Sequence, residues 1–142
     1  MTIGSTKENL SIEKRIAITP DIAKKYVNLS FEVFLPENYG LHLGFNDSEY
    51  KELGVKISKD EKEILSNAGI IIQLGLPSDD KISLIKENQN LVGVFNPYEN
   101  KEKIENLVKK KINVFSLELL PRITRAQSMD ILSSQANLAG YK

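Results

Sequence analysis

The sequence predicts an α/β fold built on a mostly parallel sheet, and two observations carry that prediction. Short β-branched or aromatic runs alternate along the chain with segments of helical periodicity. The short runs are almost continuously apolar, which is typical of strands covered by helices on both faces of a sheet. A chain of 142 residues is long enough to form one domain around such a core.

The strands are predicted from composition and from the turn-forming residues that bound each run. A first strand is expected at TIGS, residues 2–5, close to the start of the chain. Four further runs follow in order: FEVFL (31–35), GIIIQLG (69–75), NLVGVF (90–95) and INVFSLE (112–118).

Helical patterns fill the intervals between these runs: DIAKKYVNL after Thr19 and Pro20, NDSEYKELG, SKDEKEILSNAG, SDDKISLIKE and NKEKIENLVKKK. Several begin at residues that favour helix N-caps, namely Asp47 or Ser48, Ser58, Ser78 and Asn100. Gly54 and Gly69 are expected to end the two helices that precede them.

The composition excludes several classes of function. Lysine plus arginine and aspartate plus glutamate both number 19, so the chain has no net field that would attract nucleic acid or an anionic membrane. The absence of cysteine excludes disulfides and thiol catalysis and fits a reducing cytoplasm. With no secretory signal and no apolar run long enough to span a bilayer, we expect a soluble chain.

Two phosphate-binding patterns are also missing from the sequence, the dinucleotide fingerprint GxGxxG and the loop GxxxxGK[ST]. The single histidine, His42, lies in a turn-rich connection without a second histidine or cysteine that could complete a metal site. We therefore expect His42 to have a local structural role, and we predict no metal site.

The most informative segment is the last one, PRITRAQSMDILSSQANLAGYK, from Pro121 to Lys142. A helix over residues 126–142 would place polar side chains on one face and apolar side chains on the other. The polar face would carry Gln127, Asp130, Ser134 and Asn137, with Ser133 beside it, and the apolar face Met129, Leu132, Ala136 and Ala139.

Arg122 and Arg125 stand just before this helix, whose free N–H groups favour anions or carbonyl groups. An amide, a carboxylate, hydroxyls and guanidinium groups would then converge near one helix start. That combination suits a polar planar group such as a carboxamide. Spacing alone also allows an ordinary amphipathic helix with a solvated polar face.

The same segment closely resembles the end of the first structural segment of proton-translocating NAD(P) transhydrogenase alpha subunits. Three other stretches resemble the N-terminal region that transhydrogenases share with alanine dehydrogenases: EKRIAITP (13–20), GLHLGFNDSEYKELGV (40–55) and LGLPSDD (74–80). The resemblance covers essentially the whole chain. It implies a flavodoxin-like three-layer sandwich that ends in a truncated helix leading into a Rossmann domain.

The resemblance also implies roles for residues in the RAQSMD string. Arg122 and Gln127 would contact the nicotinamide end of NAD(H), and Asp130 and Ser133 would hold its carboxamide. Ser128 and Met129 belong to the same cofactor-contacting string, and Gln127 would also approach the NADP(H) nicotinamide on a partner component. Gln127, Arg122 and Asp130 are the predicted catalytic positions.

Two strand ends depart from the alanine dehydrogenase pattern, which uses a lysine and then a histidine to handle pyruvate and ammonia. Here Gln73 and Asn96 lie near those positions, and neither can supply the cation or the proton exchange. Arg15 is retained and is expected to be mainly structural. Alanine dehydrogenase activity is therefore disfavoured, although it stays open, as do a non-catalytic oligomerisation module and a domain that binds another ligand such as flavin.

The resemblance leads us to expect that residues 1–142 form an incomplete domain, with the NAD-binding Rossmann domain absent, either by truncation or because the gene is split. The expected partners are the remainder of the alpha subunit and the NADP(H)-binding membrane beta subunit, in a complex that contains a homodimer. The expected location is the cytoplasmic side of the inner membrane, through those partners.

Overall fold

The computed structural model describes residues 1–119, and within them the chain alternates between strands and helices. The strands are β1 (Thr2–Gly4), β2 (Glu32–Pro36), β3 (Lys56–Ser58), β4 (Ile70–Ile72), β5 (Asn90–Gly93) and β6 (Asn113–Ser116). The helices are α1 (Pro20–Asn28), α2 (Asp47–Glu52), α3 (Glu61–Asn67), α4 (Asp79–Ile82) and α5 (Lys101–Lys109), with 3₁₀ turns at Leu41–Leu43 and Leu117–Leu119.

The strands described here form one parallel sheet in the order β3-β2-β1-β4-β5-β6. The five strands predicted from the sequence are all present, and their relative order is the 2-1-3-4-5 order of flavodoxin-like proteins. The predicted α/β class with a parallel sheet is confirmed. The sixth strand, β3, extends the sheet at one edge and was not predicted.

β3 escaped prediction because its three residues, Lys56 to Ser58, carry little apolar signal of their own. The segment becomes a strand by pairing with β2, with Leu35 opposite Ile57. Ser58 was predicted to cap the following helix, and that assignment was wrong. Asp60 takes the N-cap instead, and its side chain accepts a hydrogen bond from Lys62 N at 2.9 Å.

Three other helix boundaries differ from those predicted. The N-cap of α2 is Asn46, because the Asp47 carboxylate is engaged by the backbone N–H of Asn38 at 2.9 Å. Helix α4 is only four residues long, shorter than the predicted SDDKISLIKE helix. Ala68 rather than Gly69 is the C-cap of α3, whereas Gly54 follows α2 in the predicted left-handed conformation, with φ of 94°.

Both faces of the sheet are covered by apolar clusters. Neighbouring residues of β4 separate them, since Ile71 belongs to one cluster and Ile70 packs against the other. The first cluster includes Leu65, Ala68, Ile71, Leu91, Phe95 and Leu107, and the second Ile3, Ile18, Ala23, Val33, Leu35, Tyr39 and Tyr50. Helix α3 packs directly on β1, where a Cβ at Gly4 would lie 2.7 Å from Ile64 Cγ2.

Two buried tyrosines satisfy the backbone of the irregular segment before α1. The Tyr39 hydroxyl accepts hydrogen bonds from Ala17 N at 3.1 Å and Ile18 N at 3.2 Å. The Tyr50 hydroxyl donates to Ile18 O at 2.8 Å, and the two rings pack edge to face with centroids 6.2 Å apart. Burial raises the pKa of Tyr39 to about 12, so its hydroxyl stays neutral over the working range of pH.

Tyr39→Phe is expected to lower the free energy of unfolding by about 1–3 kcal/mol, because it leaves two buried backbone N–H groups without an acceptor. Urea unfolding followed by circular dichroism measures the change. Tyr98→Phe is the matched control, since the Tyr98 side chain is 91% exposed and should leave stability unchanged. Equal stability of the two variants would show that the Tyr39 hydroxyl contributes nothing.

Gly93→Ala is expected to destabilise the fold near the upper end of about 1–3 kcal/mol. A Cβ at this position would overlap the carbonyl oxygen of Gln73 and the ring of Phe95. Gly75→Ala serves as the control, because the nearest atom to its Cβ would be Glu8 Oε2 at 3.9 Å. Thermal unfolding of both variants tests the prediction, and a Gly93→Ala protein as stable as Gly75→Ala would contradict it.

Candidate functional site

The strand order reverses between β1 and β4, so the segments that follow these two strands diverge and leave a crevice at the carboxyl edge of the sheet. Open α/β sheets bind ligands in such crevices. A cavity of about 340 Å³ lies here, between the residues after β1 and those after β4. Its lining includes Lys7, Glu8, Glu13, Gln73, Ser78 and Lys81.

Gln73 follows β4 directly and ties the two sides of the crevice together. Its side chain is only 2% exposed, and its Oε1 accepts a hydrogen bond from Thr6 N at 2.6 Å. Since a backbone N–H can only donate, this contact fixes the orientation of the amide. Nε2 then donates to Thr6 O and to Glu8 Oε1, both at 3.3 Å.

A directed chain of hydrogen bonds extends this contact into the core. Ser5 Oγ lies 3.2 Å from Gln73 Oε1, and because that oxygen is an acceptor, the serine hydroxyl donates to it. The Tyr39 hydroxyl, 3.0 Å from Ser5 Oγ, is therefore the donor to Ser5. Backbone, tyrosine, serine and amide form one satisfied network, which favours a single conformation of the segment after β1.

The carboxylate of Glu8 occupies the mouth of this arrangement. Its Oε1 accepts from Leu74 N at 2.6 Å, from Gly75 N at 3.4 Å and from Gln73 Nε2. Burial raises the pKa of Glu8 above its ordinary value, against the opposing effects of the two backbone N–H groups and of the Lys81 ammonium.

Lys81, in α4, completes the polar cluster from the other side. Its Nζ donates to Lys7 O at 2.6 Å and to Thr6 Oγ1 at 3.1 Å, and lies 3.3 Å from Glu61 Oε2. The same oxygen of Glu61 accepts from Lys7 N at 2.9 Å. One cation and one anion thus hold both polar groups of the Lys7 backbone.

Arg15 pairs with Glu13 through Nε and Nη2, at 2.8 and 2.7 Å from the two carboxylate oxygens. The guanidinium holds the pKa of the Glu13 carboxyl below its ordinary value. The Arg15 side chain is 58% exposed, so its contacts agree with the predicted structural role.

His42 lies beside a second cavity of about 320 Å³, whose walls include Leu10, Ile16, Tyr39 and Leu41. Its Nε2 is 2.7 Å from Lys14 O and must carry the proton, because a carbonyl oxygen can only accept. The histidine thereby joins the 3₁₀ turn at Leu41–Leu43 to the segment after β1. This is the local structural role that was predicted.

Asn96 and Glu118 mark the carboxyl ends of β5 and β6. Asn96 has a positive φ of 47°, and its backbone N–H donates to Glu118 Oε2 at 3.2 Å. Both residues line a cavity of about 150 Å³ with Pro97, Tyr98 and Glu99. Glu118 Oε1 is buried and has no hydrogen-bond partner within residues 1–119.

The structure places the predicted site residues in two groups. Gln73 and Asn96 follow adjacent strands, as the comparison with alanine dehydrogenases required. The predicted catalytic and cofactor-binding residues all lie outside the described residues, so their contacts stay predictions: Arg122, Gln127, Ser128, Met129, Asp130 and Ser133.

Sequence reasoning missed the cluster formed by Ser5, Thr6, Glu8 and Lys81. Its contacts from Thr6 to Gln73, from Glu8 to Leu74 and from Thr6 to Lys81 span 67, 66 and 75 positions, with no recognisable spacing. Within residues 1–119, no three His, Cys, Asp or Glu side chains come together as a metal site would need. In the same range no helix combines the length and the apolarity needed to cross a membrane.

Comparison with known proteins gives consistent results along the whole chain. The first of the separately encoded pieces of the NAD(P) transhydrogenase alpha subunit of Rickettsia prowazekii is 42% identical over 146 residues, which cover 100% of this chain and 38% of that protein. A solved structure of transhydrogenase from Sinorhizobium meliloti has a TM-score of 0.91 and 35% identity, covering 99% of this chain and 42% of that one. The alanine dehydrogenase of Methanococcus maripaludis is 29% identical, covering 99% of this chain and 37% of that enzyme.

The chain thus spans about two fifths of the length of these relatives. The model of the family described as alanine dehydrogenase/PNT, N-terminal domain, matches residues 4–139. With that match, the parallel sheet and the relatives just given, the chain belongs to the alanine dehydrogenase/transhydrogenase N-terminal domain family, as the N-terminal domain of a transhydrogenase alpha subunit.

Proposed function

We propose that this chain forms the first segment of the NAD(H)-binding component of an enzyme that transfers hydride between NADH and NADP⁺, coupled to proton translocation across a membrane. The observation that carries the proposal is the similarity over the full chain to proteins named as the first piece of an NAD(P) transhydrogenase alpha subunit. The activity needs partners: the rest of the alpha subunit, which carries the Rossmann domain, and a beta subunit that binds NADP(H) in the membrane. We include a homodimer of the alpha component in this proposal.

The geometry of the sheet supports a nicotinamide site at its carboxyl edge. β6 ends at Ser116 on that edge, so residues from 120 onward begin where open α/β sheets bind ligands. The buried Glu118 Oε1 has no donor among the described residues, and a buried acceptor is costly unless it is satisfied. A guanidinium or a carboxamide N–H group supplies such a donor, so the edge fits a polar, planar group.

In the proposed mechanism the protein positions two rings and excludes water. Arg122 and Gln127 contact the nicotinamide end of NAD(H), and Asp130 and Ser133 hold its carboxamide, with Ser128 and Met129 in the same string. NADH, when bound, supplies the hydride. Because the hydride passes directly between rings, the protein needs no general acid or base and contributes mainly orientation.

The contacts of Gln73 support this function over alanine dehydrogenase activity. Both ends of its buried amide are engaged by Thr6 and Glu8, so the side chain offers no free group to an oxo acid. Asn96 cannot exchange a proton near neutral pH. We expect no alanine from pyruvate and ammonia when the chain is joined to its Rossmann domain, and measurable synthesis would favour the alternative function.

The isolated chain is expected to bind NADH with a Kd above about 1 mM, because most dinucleotide affinity comes from the Rossmann half. Titration of NADH fluorescence against the purified chain measures the affinity. Binding in the micromolar range would contradict the proposed division of the cofactor between two domains.

Within the completed complex, Gln127→Asn is expected to slow hydride transfer by about 100-fold, since a small displacement of the reacting rings is enough for such a loss. Arg122→Ala and Asp130→Asn should also weaken NADH affinity, because both residues hold the ring before and during the reaction. Asn137→Ala, farther along the same polar face, is the control and should keep the parent rate. If Gln127→Asn transfers hydride at the parent rate with unchanged circular dichroism, the nicotinamide does not lie at this segment.

A further inference from the structure

The segment that follows β1, residues 6–14, crosses the crevice without forming a helix or strand; we refer to it as the strap. Most of its side chains are exposed, Ile12 to 83%. Its residues line both large cavities, so the strap forms the wall between them.

The strap is anchored by polar contacts at its two ends. At the first, Thr6, Lys7 and Glu8 bond with Gln73, Lys81, Glu61 and the N–H groups of Leu74 and Gly75. At the second, His42 donates to Lys14 O. Among the described residues, the hydrogen bonds of the strap between these ends are local, from Ser11, Ile12 and Glu13 to Asn9 and from Arg15 to Glu13.

Glu8 is the central contact of the first anchor. Three donors from the end of β4 converge on its Oε1, two of them consecutive backbone N–H groups. Consecutive N–H groups pointing at one oxygen form a small anion-binding concavity. The strap closes because its own carboxylate occupies that concavity.

We propose that Glu8 is a charge-sensitive latch, which holds the strap most firmly when its carboxyl is protonated and releases it more readily when the carboxyl is ionised. The geometric reason is that the carboxylate enters the crevice when the strap is closed and lies in water when the strap is released. A protonated carboxyl keeps a carbonyl oxygen that accepts from Leu74 N and Gly75 N, and it avoids the cost of burying a charge.

The pKa of Glu8 gives the same sign. Burial raises it in the closed state, and in a released strap it would return to its ordinary value near 4.5. The closed state therefore binds the proton more tightly, so protonation favours closure and ionisation opposes it. The stabilisation of the closed strap by this proton is fully present below the ordinary pKa and is lost as pH rises through the raised one.

The surrounding charges do not reverse this sign. Lys81 lowers the pKa of Glu8 and Glu13 raises it, while the Lys81 ammonium is shared with Glu61. Lys7 lines the same cavity and directs its backbone toward Lys81. At the other anchor, a protonated His42 keeps the Nε2–H that Lys14 O accepts, so its titration leaves that contact in place.

The inference does not depend on the nicotinamide site, since all of its groups lie within residues 6–81. Its consequence is access: releasing the strap joins the cavity of about 340 Å³ with the one of about 320 Å³ and uncovers the N–H groups of Leu74 and Gly75.

Amide hydrogen exchange at Thr6, Leu74 and Gly75 between pH 4.5 and 8, corrected for the intrinsic rates, tests the latch. In the parent protein we expect protection of these amides to decrease as pH rises. Glu8→Gln keeps an oxygen acceptor without the charge, so these amides should be more protected than in the parent at pH 7.5 and should lose the pH dependence. Glu8→Ala removes the acceptor and should lower protection at every pH.

Glu13→Gln is the matched control, because Glu13 lies on the same strap and lines the same cavity but has its pKa lowered by Arg15. Neutralising it should not increase the protection of Leu74 and Gly75. Exchange at Leu91, in the core, reports whether any variant has altered the whole fold. Faster exchange of Leu74 and Gly75 in Glu8→Gln than in the parent at pH 7.5, with Leu91 unchanged, would overturn the proposal, as would protection in the parent that increases with pH.

Discussion

The buried amide of Gln73 is the contact on which the carboxyl edge of this domain depends. β1 and β4 are hydrogen-bonded neighbours as far as their last residues, but the chain after each strand turns away from the other. Gln73 spans the resulting gap and satisfies both backbone polar groups of Thr6, which would otherwise be buried without partners. Gly93 makes room for it, because any side chain there would overlap the backbone of Gln73.

Around this amide the domain buries polar groups that a core would ordinarily exclude. Ser5, Thr6 and Gln73 are nearly inaccessible, and Glu8 and Lys81 approach from the rim. Such a cluster costs desolvation energy and is tolerated only where the hydrogen bonds are made. The contrast between Glu8 and Glu13 shows the two outcomes on one strap, with the pKa raised by burial in the first and lowered by a guanidinium in the second.

One fold serves two chemistries in this family, and the difference lies at the strand ends. A parallel sheet with the same crevice can present ionisable side chains to a substrate, or it can occupy the crevice with its own polar groups. In this chain Gln73 is consumed by structural hydrogen bonds, and the backbone N–H of Asn96 is held by Glu118. The geometry therefore supports a domain that positions a cofactor and leaves the reaction to two nicotinamide rings.

The sequence by itself determined the α/β class, five of the six strands in residues 1–119 and the structural roles of Arg15 and His42. Apolar runs such as Ile70–Ile72 are strongly determined locally, because a strand buried on both faces must be apolar at every position. The RAQSMD string also identified the family without any structure. Its roles at Gln127 and Asp130 stay predictions, since those residues lie outside the described residues. Only the tertiary structure decided β3, which is a strand because β2 lies beside it, and the cluster of Glu8, Gln73 and Lys81. Those contacts join residues far apart in sequence, and the energy of a buried hydrogen bond depends on neighbours that no local pattern records.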